Sequence, residues 1–331
     1  MERKEISVLI TVYERSEFIN DAIRSVLNQD VSPEVYEIIV ISNLPIHIVE
    51  EKLRSKIKFI ETNEREVGKK YLLGMNESTG KIITFLDDDD LYLNNRLGTI
   101  LRKFKNSGGK IYYHNSFNLI NASGMNVKST FKKRLQEFSS SGNRVDVVGK
   151  RKLSTLVKLK KIGADFNMSS IAVSRDILRD PGLLLYSSIK SPDIFLFFDW
   201  IKSDASIYID TEVLTQYRIR DEMDNPINKT VNPERDLNTL GFRQRSMILD
   251  FAGNSGNKVL QKYAWYEWYD FLLYSDLTRL KHRVVRKRGL VFEYASQLPC
   301  SKYYLVRYFV RYYFLYFAAL AYPKIIDFLN Y

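Results

Sequence analysis

Residues 6–13 read ISVLITVY, an apolar, β-branched run with little polar alternation. Such a strand has no face to give to water, so it belongs inside a parallel sheet covered on both sides. The next residues keep to that plan. Ser16 is a candidate N-cap, and Phe18, Ile19, Ala22, Ile23, Val26 and Leu27 recur at helical spacing to make one apolar face. EIIVIS (Glu37 to Ser42) reads as a second strand, HIVEEKLRS as a short helix and KFIET (Lys58 to Thr62) as a third strand. Val67 to Glu77 reads as a longer helix and KIITFLD as a fourth strand. Strands alternating with helices predict an α/β fold built on a Rossmann-like, mostly parallel, doubly wound sheet with right-handed crossovers.

The fourth strand runs straight into FLDDDDLY, with four consecutive carboxylates at positions 87–90. Crowded like charges repel, and either solvation or a bound cation must offset the repulsion. Ligands of open α/β sheets bind beyond the carboxyl ends of the strands. The Asp run stands at the end of the fourth strand, Tyr13-Glu14-Arg15 at the end of the first and Ser42-Asn43 at the end of the second. Three strand ends therefore converge on one crevice. The competing account is a solvated acidic turn capping a helix at Asn94; the strand-end position favours a metal site.

Beyond Asn94 a helix is expected through Lys105. KIYYHNSFNLI reads as strand material around a turn, and Lys128 to Lys161 as a basic loop followed by a helix. NMSSIAVS (Asn167 to Ser174) reads as a strand, Asp193 to Lys202 as a helix, and ASIYID and VLTQYRI as two more strands. From Arg235 onward the sequence turns helical and aromatic-rich. The boundary is placed near Asn225, dividing the chain into 1–225 and a helical, basic and aromatic region over 226–331.

A chain of 331 residues with 45% hydrophobic content has room for a sizeable core. Its net charge of +11 points to an anionic partner such as a nucleotide, a phospholipid surface or a nucleic acid. Cys300 is the single cysteine, so no internal disulfide can form and a reducing, cytoplasmic compartment is the expectation. The opening MERKEISVLITVYER has no long apolar stretch before a cleavage site, and no leader is expected. No Cys/His cluster has zinc spacing, His47, His114 and His282 have no evident partner, and GKKYLLG lacks the glycine-rich run of a P-loop.

Four features lie in order: ISVLITVYERSEFINDAIRSVLNQ at the start, the strand-end FLDDDDLYLNNRL, Asp193 ahead of a helix in SPDIFLFFDWI, and Tyr217-Arg218-Ile219-Arg220 after a strand. This ordered set resembles the family 2 glycosyltransferases of the GT-A fold over roughly the first two thirds of the chain. The resemblance implies an inverting, metal-assisted transfer of a sugar from a nucleotide-diphosphate donor to a hydroxyl acceptor. It implies that Asp89 and Asp87 bind Mg²⁺ or Mn²⁺, that Asp87 and Asp88 approach the donor, and that Asp193 is the general base, with Asp199 as the fallback. Thr11, Val12, Tyr13 and Glu14 fall where the family's PTYN meets the donor. Ser42 falls at the acidic base-reading position, Lys70 opens the segment matching ARN, and Arg220 replaces the histidine of YR.H. The chemistry suits these residue types: a divalent cation bridging diphosphate oxygens stabilises the leaving charge, and hard cations choose carboxylate and phosphate oxygens. Pro192 stands where the family has Glu.

The implied donor is a nucleotide sugar, UDP-linked ahead of GDP- or dTDP-linked, and the implied acceptor is a glycan or a lipid-linked molecule. RLKHRVVRKRG (Arg279 to Gly289) is strongly basic, and YYLVRYFVRYYFLYFAALAYP (Tyr303 to Pro323) sets Arg307 and Arg311 on one helix face. Residues 279–331 thus suit a membrane interface at the cytoplasmic face, where aromatic rings sit at headgroup level. A helix docked on the first domain, or on a second copy in a homo-oligomer, is the other reading. Two further functions compete: a nucleotidyltransferase, which would need a glycine-rich loop where VYERSEF has none, and a basic nucleic-acid-binding module, against which the order of the Asp motifs argues.

Overall fold

The computed structural model describes residues 4–13, 16–127, 145–147, 152–178, 192–219 and 242–268. The chain divides into two compact units, 1–229 and 230–331. The first holds a nine-stranded mixed sheet. Its elements run β1 (Ile6–Val12), α1 (Ile19–Leu27), β2 (Tyr36–Ser42), α2 (Glu51–Arg54), β3 (Lys58–Glu61), α3 (Val67–Asn76), β4 (Ile82–Asp87), β5 (Leu91–Tyr92) and α4 (Arg96–Asn106). There follow β6 (Ile111–Ile120), β7 (Val145–Val147), α5 (Leu153–Lys161), β8 (Ile171–Ser174), α6 (Pro192–Lys202) and β9 (Ser206–Arg218). In the second unit α7 (Phe242–Asn254) precedes a helical stretch over 258–268, where the Asn257 side chain accepts the Val259 and Leu260 N–H groups. No helix among the described residues is long and apolar enough to cross a membrane.

The strand order is β3-β2-β1-β4-β8-β6-β9-β5, with β7 added on β9. The first four strands pair in parallel, as the alternation of strands and helices predicts. Beyond β4 the sheet becomes mixed, because β8 inserts antiparallel between β4 and β6. All seven residues of β1 are buried, with Val8, Leu9, Ile10 and Val12 among the core side chains. Ile19, Ala22, Ile23 and Val26 of α1 cover one of its faces. Gly80 lets the turn before β4 approach β1: a Cβ there would lie 2.5 Å from the Ser7 nitrogen.

Several expected elements differ. Helix α1 begins at Ile19 with Phe18 at its N-cap and no side-chain cap, so Ser16 does not cap it. KIYYHNSFNLI contains no turn: β6 runs through ten residues. Its polar centre stays in the sheet because the His114 and Asn115 side chains find buried partners. His114 Nε2 donates to the Phe166 carbonyl (2.6 Å), and Asn115 donates to Thr215 Oγ1 (2.9 Å) while accepting from Arg96 Nε (3.1 Å). ASIYID and VLTQYRI form one strand, β9, parallel to β6. Its register slips between Ile209 and Val213, where Asp210 Oδ1 accepts the Glu212 N–H, and such a bulge bends a strand without ending it. NMSSIAVS splits into a 3₁₀ turn, Met168–Ser170, and the shorter β8.

Candidate active site

The carboxyl ends of β1, β2 and β4 lie side by side, since Thr11 pairs with Asp87 and Val12 with Ser42. The four aspartates after β4 have different environments. Asp87, Asp88 and Asp89 are half-buried, whereas Asp90 is fully buried. Asp87 Oδ1 accepts the Tyr71 hydroxyl (3.1 Å), and Asp88 Oδ2 accepts the Tyr13 N–H (3.4 Å). Packing around the Asp87 carboxyl, and then the charge of Asp89, push its pKa up to about 7. Asp90 turns inward, where Oδ1 accepts the Arg218 N–H (2.8 Å) and Oδ2 finds no donor at hydrogen-bond distance among the described residues. Burial, followed by the neighbouring aspartates, holds Asp90 well above the ordinary carboxylate range. Asp90 therefore anchors the turn. Arg218 completes the anchor, since its guanidinium donates to the carbonyls of Asp89 (2.7 Å), Asn121 (3.0 Å) and Ala122 (2.7 Å) and lies 4.1 Å from the Phe18 ring centre.

Asp193, at the start of α6, is 9% exposed. Its Oδ2 accepts the Asn167 N–H (3.0 Å) and its Oδ1 the Ile194 N–H (3.0 Å). Burial raises its pKa to about 7, with the charges of Asp165 and Asp87 adding to the effect and the two N–H groups opposing it. A carboxyl poised there exchanges protons near neutrality, the property a general base needs. Asn167 has φ +67°, a left-handed conformation that Asn tolerates better than most residues. Its side chain accepts the Ser169 N–H (3.1 Å) and donates to Ser170 Oγ (2.9 Å), which holds the turn. Ser169 Oγ in turn accepts the Asp87 N–H (3.0 Å). One short buried turn, Asn167 to Ser170, thus holds both Asp193 and the start of the acidic run. Asp199, the fallback, is buried further along α6.

On the other side of β1, Lys70 is fully buried, and its Nζ donates to the Val12 carbonyl (2.5 Å) and Asn43 Oδ1 (2.6 Å), 5.4 Å from the Tyr13 ring centre. Ser42 is also fully buried, and its hydroxyl accepts the Leu44 N–H (2.9 Å). Thr11 and the Val12 side chain are buried, while Tyr13 is 43% exposed. The fold therefore gathers Thr11, Val12, Tyr13, Ser42, Lys70, Asp87, Asp88, Asp89 and Asp193 about one sheet edge. Glu14, Arg220 and the segment 279–331 lie outside the described residues.

Asn167, Ser169, Tyr71, Asp90 and Arg218 complete the site. Tyr71 and Arg218 stand inside motifs visible in the sequence, in the segment matching ARN and in YRIR, but their partners were not. Nothing in the sequence marks Asn167, because its tie to Asp193 spans a stretch with no periodic signal.

Residues 7–161 match Glycosyl transferase family 2. An uncharacterized glycosyltransferase of Rickettsia bellii is 32% identical over 144 residues, covering 42% of this chain and 20% of the relative. The chain thus spans about a fifth of that relative's length. A second uncharacterized glycosyltransferase, from Haemophilus influenzae, is 25% identical over 205 residues, covering 60% of this chain and 72% of the relative. Among solved structures, residues 1–349 of Staphylococcus aureus TarS in complex with UDP-GlcNAc superpose with a TM-score of 0.55 at 14% identity, covering 85% of this chain and 84% of that one. The acidic turn closing β4 thus lies within the stretch that matches Glycosyl transferase family 2, on a sheet that shares the GT-A fold of that TarS structure.

Proposed function

We propose that the chain transfers a sugar from a nucleotide-diphosphate donor to a hydroxyl acceptor, with inversion at the anomeric carbon. The observation that carries this reading is the shared turn: Asn167 binds Asp193 and Ser169 binds the Asp87 backbone, which brings a carboxyl that titrates near neutrality to the same crevice as the strand-end aspartates. Asp193 takes the proton of the acceptor hydroxyl as its oxygen attacks the anomeric carbon. The bond from that carbon to the diphosphate breaks, and the electron pair leaves with the phosphate oxygen. The donor lies along the ends of β1 and β2, against Thr11, Val12, Tyr13, Ser42, Lys70 and Asp88. UDP is its leading nucleotide, a choice supported by the TarS complex with UDP-GlcNAc.

A divalent cation fits the acidic turn. Among the described residues no three carboxylate, imidazole or thiolate groups gather around one point, so these residues form no cage of their own. What they offer is Asp89 beside Asp87, where burial and then the Asp89 charge raise the cost of ionising Asp87, a cost that a cation relieves. Asp89 and Asp87 would hold Mg²⁺ or Mn²⁺, with donor phosphates completing the coordination. When bound, the ion would stabilise the charge of the departing diphosphate.

The acceptor, whether glycan or lipid-linked, is to be found by assay. The test is a screen of nucleotide sugars for nucleotide release and transfer, with Mn²⁺ or Mg²⁺ and with chelator. Turnover of one sugar nucleotide, abolished in Asp193→Asn, is expected. A chain that neither binds nor turns over any nucleotide sugar would overturn the proposal.

A further inference from the structure

Tyr217 lies between the two halves of the site. It is the penultimate residue of β9, paired in register with Leu119. Its successor, Arg218, donates its N–H to Asp90 and its guanidinium to the Asp89 carbonyl. Its ring packs 5.8 Å from Phe166, whose successor Asn167 donates to Asp193, and 5.8 Å from Phe117. Phe117 and Phe166 are themselves 6.0 Å apart, so three rings form one rigid cluster. The cluster fixes the Tyr217 ring, and the residue is half-buried. Its hydroxyl makes no hydrogen bond among the described residues. Burial, and then the charges of Asp90, Asp87, Asp89 and Asp193, raise the phenol far above its ordinary value. It stays protonated, with an O–H to donate.

Two groups meet in that space in the reaction proposed above: the acceptor hydroxyl, which gives its proton to Asp193, and the diphosphate, which gains charge as its bond to the sugar breaks. A protonated phenol has nothing to offer a hydroxyl oxygen whose lone pair is attacking carbon. It matches an anionic phosphate oxygen. Resting on that reading of the site, we propose that the Tyr217 hydroxyl donates a hydrogen bond to a non-bridging oxygen of the departing phosphate, strengthening as the sugar–oxygen bond breaks and its electron pair moves onto the diphosphate. Preorganised donors aimed at developing charge act in this way, and a rigid aromatic cluster supplies the preorganisation.

Tyr217→Phe tests this, because it keeps the ring cluster and removes one oxygen. The full chain is used, with UDP and UDP-GlcNAc as probes and, for rates, the nucleotide sugar it turns over. A single donor on a developing charge is worth roughly ten- to hundredfold. The expected result is a fall in kcat of about that size with donor KM little changed, and a loss of UDP affinity larger than the loss of UDP-GlcNAc affinity, since free UDP carries the full terminal charge. A purely structural tyrosine would move both affinities together and lower the melting temperature; that pattern, or unchanged kcat in an active wild type, would overturn the assignment. A wild-type chain inactive toward every nucleotide sugar would sink the underlying reading and this inference with it.

Discussion

Replacing Asp193 by Asn should remove activity and, relative to the wild type, stabilise the fold increasingly as pH rises. In the folded chain this carboxyl titrates near pH 7, against an ordinary 3.8. Between those values the folded protein holds a proton that the unfolded chain has lost, so stability falls as pH rises through that window. From pH 5 to pH 8 the wild type forgoes on the order of 3 kcal/mol at this one site, taking 1.36 kcal/mol for each pH unit below 7. Asn has the shape of a protonated Asp but carries a single acceptor oxygen, so one of the Asn167 and Ile194 N–H groups loses its acceptor, a cost that does not vary with pH. Relative to the wild type, Asp193→Asn should therefore gain roughly 3 kcal/mol of stability between pH 5 and pH 8. Urea unfolding of both chains at both pH values measures this. In parallel, wild-type turnover should rise with pH up to about 7 and level off, and the variant should lose on the order of 10²–10⁴-fold with donor binding retained. A stability difference that does not change between pH 5 and pH 8 would refute the claim that the site holds a strained carboxylate.

Four more outcomes rest on named contacts and segments. Asp89→Asn should abolish Mn²⁺-dependent UDP binding, read by calorimetry, while leaving the melting temperature within a few degrees; unchanged metal dependence would remove Asp89 from the proposed ligand set. Gly80→Ala should destabilise by roughly 1–3 kcal/mol, because its Cβ would meet the Ser7 nitrogen at 2.5 Å and push β1 from the turn before β4, as urea unfolding would show. Arg218→Lys cannot reproduce a fork that reaches three backbone carbonyls, so it should cost about 1.5–3 kcal/mol and weaken UDP binding as the acidic turn loosens. The basic and aromatic segment 279–331 is proposed to bring the chain to anionic vesicles; the full chain should pellet with them and high salt should weaken the binding without abolishing it, since screening removes only the electrostatic part.

The first four strands, the helices between them and the position of the aspartates were legible in the sequence, because each rests on a local signal. A doubly buried strand is apolar along its whole length, a covering helix repeats every three to four residues, and a carboxylate run after ITFL can only stand at a strand end. The order of motifs also pointed to the family. What sequence could not reveal were the features that depend on distant residues. The HNS of β6 resembles a turn until Phe166, Arg96 and Thr215 satisfy its polar groups, and ASIYID and VLTQYRI look like two strands until a bulge against β6 joins them. The four aspartates are chemically identical as letters. Asp90 becomes an inward anchor only because Arg218 meets it from 128 positions away, and Asp87 is placed by Ser169 from 82 positions away. Local periodicity is a property of neighbouring residues, whereas the protonation and role of a carboxylate are set by burial and by whichever charges and N–H groups the chain path brings to it, and these exist only once the sheet has closed.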